Sequence, residues 1–69
     1  MRTDEAIRYY IKKAGFETNQ QFCDYCNIPK SSFYNWMRNP VSINIYNFHY
    51  MAQHLNCSMD ELYGGPKDE

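Results

Sequence analysis

Five polar side chains between positions 30 and 38 could recognise nucleic acid. Their spacing places them together on the exposed side of a helix that would run from about Pro29 to Arg38. An asparagine can bond to two atoms of adenine, a lysine can donate to guanine, and a serine can serve either base. We therefore predict that the chemistry of this chain is carried by Lys30, Ser31, Tyr34, Asn35 and Arg38.

Residues 18–38 are predicted to form two short helices joined by a sharp turn. Thr18 can cap the first helix, and Gln21 three positions later would complete a capping box. Asn27 suits a left-handed turn, and Pro29 suits the first turn of the next helix, where its missing N–H costs nothing. This layout is a helix-turn-helix, which presents the exposed side of its second helix to a DNA groove. The residues buried by this arrangement would be Phe22, Cys23, Cys26, Ile28, Phe33 and Trp36.

Apolar residues recur at helical spacing in three further segments, predicted at residues 3–14, from 42 or 44 to 55, and at 59–63. Thr3 or Asp4 would cap the first of these and Ser58 the last. No segment alternates like a strand, so the predicted fold class is all-α, a compact five-helix domain over residues 1–66 with a frayed tail at 67–69. Tyr10 is expected in the core. The buried face of the fourth helix would consist of Ile45, Phe48, Ala52 and Leu55, with Met51 flanking.

The 69 residues of the chain allow one domain, and a hydrophobic fraction of 43% is that of a globular protein. Seven tyrosines, four phenylalanines and one tryptophan are more rings than so small a core can hold. Several rings must therefore lie on the surface or against a partner. The sequence shows neither a signal peptide nor an apolar run long enough to span a membrane. We expect a cytoplasmic protein with no membrane contact.

The charge is divided unevenly along the chain. Residues 1–40 carry two more basic than acidic side chains, whereas residues 41–69 carry three more acidic than basic ones, which gives the net charge of −1. Binding to phosphate depends on local positive charge more than on net charge. The candidate recognition residues lie in the basic part, although an excess of two is small for a DNA-binding protein.

Cys23 and Cys26 form a C-x-x-C pair, which His49, His54 and Cys57 could in principle complete as a zinc site. Packing is the favoured interpretation, because on a helix both Cys23 and Cys26 fall on the core face. The two histidines are five positions apart, so their rings would point in different directions. There is no glycine-rich phosphate loop and no catalytic arrangement of side chains. We expect no metal, no cofactor and no enzymatic activity.

Nearly the whole chain, about residues 7–63, resembles the lambda-repressor-like (Cro/XRE-type) helix-turn-helix family. The resemblance is carried by the patterns IKKAGFETNQQFCDYCNIPKSSFYNW and MAQHLNCSMDELYG. It implies a five-helix domain that usually binds operator DNA as a dimer, with Asn27 at the position of the family's turn glycine. It also implies contacts to base edges from Lys30, Ser31 and Asn35, and contacts to phosphate from Asn19, Gln20 and Arg38.

Together these features predict a sequence-specific transcriptional regulator of prokaryotic, phage or mobile-element type, and a repressor is favoured over an activator. It would bind double-stranded DNA at a palindromic operator as a homodimer, with the third helix in the major groove. Tyr34 would add a contact to a base, a phosphate or a protein. We expect no effector domain, so control would come from concentration, degradation or a partner. The dimer interface is predicted at Tyr46, Tyr50 and Tyr63, although ordinary half-exposed tyrosines explain them about as well.

The alternative is a helix-turn-helix fold that binds a protein partner. Examples are a phage-encoded inhibitor of the anti-CRISPR kind, an antitoxin or an anti-repressor. The acidic C-terminal half and the surplus of aromatic residues favour this hypothesis, whereas the basic and amide side chains of the third helix favour DNA.

Overall fold

The computed structural model describes residues 1–66, which form five α-helices and one short 3₁₀ turn. No β-strand occurs in this range, and the all-α fold class is confirmed. The predicted tail at 67–69 lies outside the described residues. The elements are α1 (Thr3–Lys13), α2 (Asn19–Cys26), α3 (Lys30–Arg38), the 3₁₀ turn (Pro40–Ser42), α4 (Ile45–His54) and α5 (Met59–Gly64).

Three helices end at a residue with left-handed backbone, which the sequence predicted for Asn27. These residues are Gly15, Asn27 and Asn56, with φ angles of 102°, 59° and 57°. In each case the amide of the next residue bonds to the carbonyl five positions earlier, at 3.2, 2.9 and 3.1 Å respectively. This is the Schellman arrangement, which satisfies carbonyls that a helix end leaves without a partner. Asparagine can serve at two of the three ends because it tolerates left-handed backbone better than other non-glycine residues.

The core lies between α1, α4, α5 and the α2–α3 unit, and Tyr10, Phe33 and Trp36 are buried as predicted. α1 packs along α5, and α2 and α3 pack against each other and against α1. This arrangement holds the α2–α3 unit on a packed support, so α3 has a buried side and an exposed side. The buried cluster consists of Ile7, Tyr10, Ile11, Phe22, Cys23, Cys26, Phe33, Trp36, Met51, Ala52, Leu55 and Leu62.

The predicted buried face of α4 is wrong at its first residue. Ile45 is 62% exposed, because it begins the helix and lines an open groove instead of entering the core. Met51, which was expected to flank the face, is completely buried. The true apolar stripe therefore runs through Phe48, Met51, Ala52 and Leu55.

The start of α1 also differs from the prediction. Thr3 is the first helical residue and not the cap, and its hydroxyl donates to the carbonyl of Tyr63 at 2.8 Å, which joins α1 to α5. Asp4 does not cap the helix either. Its carboxylate is buried and accepts from Arg2 at 3.1 Å and from Arg8 at 3.2 Å. Burial by itself would raise the pKa of Asp4, but the hydrogen bond from Arg2 and the two positive charges outweigh it and lower that pKa.

Candidate nucleic-acid interface

The first helix of the unit starts at the predicted cap. The Thr18 hydroxyl accepts from the amide of Gln21 at 3.1 Å. The predicted capping box is altered in one contact, because the Gln21 side chain accepts from the amide of Glu17, at 2.7 Å, and not from that of Thr18. The side chain reaches one residue further back than a capping box requires, and it fixes the path by which the chain enters α2.

The turn between α2 and α3 is closed by backbone bonds around Asn27. The Ile28 amide bonds to the Cys23 carbonyl at 2.9 Å, and the Asn27 amide bonds to the Asp24 carbonyl at 3.3 Å. Pro29 is the cap residue of α3, so the helix begins at Lys30, one residue later than predicted. Since Pro29 has no N–H, its use at this position leaves no donor without a partner.

α3 is held from behind by two large aromatic side chains. Phe33 is completely buried and Trp36 is 9% exposed, and the Phe33 ring contacts that of Phe22 on α2 with a centroid separation of 6.4 Å. Edge-to-face contact is a favourable geometry for aromatic pairs, and burial of both side chains fixes which side of α3 faces the core. The opposite side of α3 is therefore presented in a defined orientation.

The structure brings all five predicted residues of α3 to that opposite side. The group consists of Lys30, Ser31, Tyr34, Asn35 and Arg38, and each member is exposed. We call this surface the α3 polar face. Two of its members contact each other, because Nη2 of Arg38 donates to Oδ1 of Asn35 at 3.2 Å. An amide oxygen has two lone pairs, so Asn35 can keep this bond and still accept from the amino group of an adenine.

The two remaining predicted contacts lie at the beginning of α2. Asn19 and Gln20 occupy its first two positions, where Asn19 is partly buried and Gln20 is exposed. Backbone amides of a first helical turn have no partner within the helix, so this end favours an anion. The position is compatible with the phosphate role expected from the family resemblance.

Charge near the α3 polar face comes from Lys30 and Arg38. Neither forms an ion pair within residues 1–66, and α3 contains no acidic side chain. Two other cations of the basic half, Arg2 and Arg8, are engaged by Asp4 on α1. The charges of Arg2 and Arg8 are therefore partly neutralised by Asp4. The charges of Lys30 and Arg38 remain available to attract phosphate.

The three tyrosines predicted at a dimer interface have different surroundings. Tyr46 is 83% exposed and Tyr63 is 68% exposed, whereas the Tyr50 hydroxyl donates to the carbonyl of Cys26 at 3.0 Å. Tyr63 lines an open groove of about 810 Å³ together with Val41 and Ile45. Val41 and Ile45 were not among the predicted site residues, although an apolar Val41 directly after the Asn39-Pro40 break was a detectable signal. We call this feature the α3–α5 groove, since its walls include the end of α3 and the side of α5.

The C-x-x-C pair packs in the core, as its helical spacing predicted. Both thiols are reduced and buried. Burial raises the pKa of the Cys26 thiol to about 11, with a contribution from Cys23, and burial likewise raises the pKa of Cys23. Thiols in this state are protonated, and it is the thiolate that binds metals or attacks disulfides. Among residues 1–66 no cluster of three or more histidine, cysteine or acidic side chains could hold a metal ion.

A capped α2, a Schellman turn and a rigidly backed α3 with a polar exposed face define a helix-turn-helix domain. Residues 5–69 match the family of the bacteriophage CI repressor helix-turn-helix domain, and the chain belongs to this family. At the level of the family it is a DNA-binding regulator, and the family is not one of enzymes. Neither the curated proteins nor the solved structures gave a match. No helix within residues 1–66 is long and apolar enough to cross a bilayer.

Proposed function

We propose that the protein is a cytoplasmic, sequence-specific repressor of phage, prokaryotic or mobile-element origin that binds a palindromic operator as a homodimer. The observation that carries this proposal is the α3 polar face, which has two cations, amide and hydroxyl groups and no carboxylate. The base edges would be contacted by Lys30, Ser31, Tyr34 and Asn35, and the phosphates by Asn19, Gln20 and Arg38. These residues combine the two kinds of contact that sequence-specific binding needs.

The contact between Arg38 and Asn35 gives each a distinct role in this proposal. Asn35 would pair with an adenine, and Arg38 would hold the amide oxygen of Asn35 while its other guanidinium nitrogens reach a phosphate. Lys30, at the start of α3, would donate to a guanine. Recognition helices of helix-turn-helix proteins approach base edges with their N-terminal residues, which agrees with this division.

A homodimer is supported by the α3–α5 groove. Met37 and Arg38 form part of its wall, so a second copy seated there would bring the ends of the two α3 helices near each other. The same contact would remove the exposed apolar side chains of Val41, Ile45 and Tyr63 from water. The molecule measures 35 × 25 × 18 Å, so two copies side by side fit half-sites one helical turn, about 34 Å, apart. Tyr46 would lie at the margin of this contact, next to Ile45 in the chain.

Selection of bound duplexes from a random-sequence DNA pool tests the proposal. A repressor of this kind should enrich two inverted half-sites with centres about 10 base pairs apart. If the two Arg38 side chains of a dimer neutralise one phosphate each, they should contribute about −1.8 to the slope of log K against log salt. The double variant Lys30→Glu, Arg38→Glu should lose binding and keep the helical circular dichroism spectrum. Lys12→Glu on α1 is the matched control, because Lys12 is exposed and lies outside the proposed interface.

The alternative function, binding to a protein partner, is supported by the modest charge of the surface. Arg2 and Arg8 are engaged by Asp4, while Tyr25 is 64% exposed and Tyr46 is 83% exposed. Exposed tyrosines are enriched where proteins bind one another. The same selection separates the two functions, because a protein-binding domain would enrich no sequence and would not retard duplex DNA even at low salt.

A further inference from the structure

Tyr50 on α4 holds the end of α2 immediately before the turn. Its hydroxyl donates to the carbonyl of Cys26, the last residue of α2, at 3.0 Å. The backbone bonds that close the turn end on the carbonyls of Cys23 and Asp24, and the carbonyl of Cys26 takes its bond from Tyr50. The chain thus satisfies a carbonyl at a helix end with a side chain from a distant helix.

The ring of Tyr50 is itself fixed by a row of aromatic side chains. It contacts the ring of His54 at a centroid distance of 4.4 Å, His54 contacts Tyr25 on α2 at 5.5 Å, and Tyr25 contacts Phe16 at 5.5 Å. The first two contacts are edge-to-face, which is a favourable geometry for aromatic pairs. The Tyr50 ring is therefore packed on His54 of α4, and His54 is in turn packed on Tyr25 of α2.

Only three residues separate Cys26 from the start of α3. Because this connection is so short, the orientation of the Cys26 peptide group affects the direction in which α3 leaves the turn. A rotation of the Cys26 peptide changes the angle at which the chain leaves α2, and no flexible loop absorbs that change. We propose that Tyr50 is a positioning residue for DNA recognition, which narrows the orientations of α3 in the unbound protein. Its connection to DNA rests on the proposed function. In this proposal Tyr50 acts within one protomer, and its dimer contact stays a prediction that the monomer–dimer equilibrium of the variant tests.

The test is Tyr50→Phe, which removes the hydroxyl and keeps the ring in the aromatic row. Tyr9→Phe is the matched control, because Tyr9 on α1 is 39% exposed, against 38% for Tyr50, and lies outside both proposed surfaces. With a duplex carrying the consensus selected by the wild-type protein, Tyr50→Phe should bind more weakly by about twofold to tenfold per subunit, or about fourfold to a hundredfold for a dimer on both half-sites. The range per subunit corresponds to the net free energy of one neutral hydrogen bond. Loss of that bond lowers the fraction of molecules in which α3 has the orientation that binds DNA, and the apparent affinity falls with that fraction. The salt slope and the monomer–dimer equilibrium should not change.

Amide hydrogen exchange of the unbound protein supplies a measurement that needs no DNA. In Tyr50→Phe the first hydrogen-bonded amides of α3, beginning with that of Phe33, should exchange faster, while those in the middle of α1 keep their wild-type rates. A uniform acceleration throughout the chain would mean that Tyr50 contributes to stability alone, and would overturn the proposal.

Three further results would also overturn it. They are unchanged affinity in Tyr50→Phe, weakened dimerisation, which would place Tyr50 in the interface, and a smaller salt slope, which would mean that the cations of the protein neutralise fewer phosphates. If the wild-type protein binds no DNA, the proposed function fails, and the exchange rates of α3 still decide whether Tyr50 positions it.

Discussion

Replacement of Arg38 by glutamine gives the most direct test of how the α3 polar face meets DNA. Arg38 donates to Asn35 and forms no ion pair within residues 1–66, so its charge is available to a phosphate. Glutamine removes the charge and keeps a side chain that can donate to Asn35. The variant therefore separates the phosphate contact from the orientation of the Asn35 amide.

The size of the effect follows from the number of cations removed. A dimer loses two, and each phosphate contact contributes about 0.9 to the slope of log K against log salt, so the slope should become shallower by about 1.8. Over a fourfold increase in salt, from about 50 to 200 mM, the wild-type protein should lose about twelvefold more affinity than Arg38→Gln. Arg38→Lys should keep the slope, because the charge remains. It should show weaker selectivity at the base opposite Asn35, because an ammonium on a flexible stem orients that amide less well than a guanidinium.

The assay is a salt titration of binding to a fluorescent duplex carrying the selected consensus, with Lys12→Gln on α1 as the control. Lys12→Gln should leave the slope unchanged, since Lys12 lies outside the proposed interface. An unchanged slope in Arg38→Gln would show that the guanidinium meets no phosphate. Equal changes in the Arg38 and Lys12 variants would show that the effect is one of net charge and not of a defined contact.

Three further predictions concern the stability and packing of the domain. Asn27→Ala should lower the free energy of unfolding by about 1 kcal/mol, because alanine is strained at a φ of 59°. The melting temperature should then fall by about 4–8 °C in a thermal denaturation scan, whereas Asn27→Gly should not show this loss. The pKa of Asp4 is lower in the folded protein than in the unfolded chain, so its ionised carboxylate stabilises the fold above the unfolded pKa, and this stabilisation is lost as the pH falls through the folded pKa. Urea unfolding should show this loss of stability below about pH 4, and the loss should be smaller in Asp4→Asn. The Cys26 thiol, buried and with a pKa raised to about 11, should react with iodoacetamide at pH 8 at least about a hundredfold more slowly in the native protein than in urea, and equal rates would contradict the buried position.

Much of the α2–α3 unit was predictable because its signals are local. Thr18 caps α2 through a bond that spans three residues, and Asn27 adopts left-handed backbone, which its side chain tolerates. The spacing of Phe33 and Trp36 fixes which side of α3 is buried and therefore which side is exposed. Each of these features depends on neighbours within one or two helical turns, so the order of residues suffices to predict it.

The errors occurred where residues far apart in the chain meet. The sequence placed Ile45 in the core and Thr3 at a helix cap. Ile45 instead lines the α3–α5 groove, and the packing of α1 on α5 brings the Thr3 hydroxyl to the carbonyl of Tyr63. The pairing of Asp4 with Arg2 and Arg8 had no signal that distinguished it from an ordinary helix start. It decides how much of the basic half remains available to phosphate.

The sequence by itself determined the helices, the turn and the identity of the α3 polar face, because capping, backbone preference and periodicity act over a few residues. The tertiary structure alone decided that the Tyr50 hydroxyl contacts the Cys26 carbonyl, and where apolar surface remains exposed. These features depend on the angles and distances at which helices pack, and those are set by the whole core and not by any one segment.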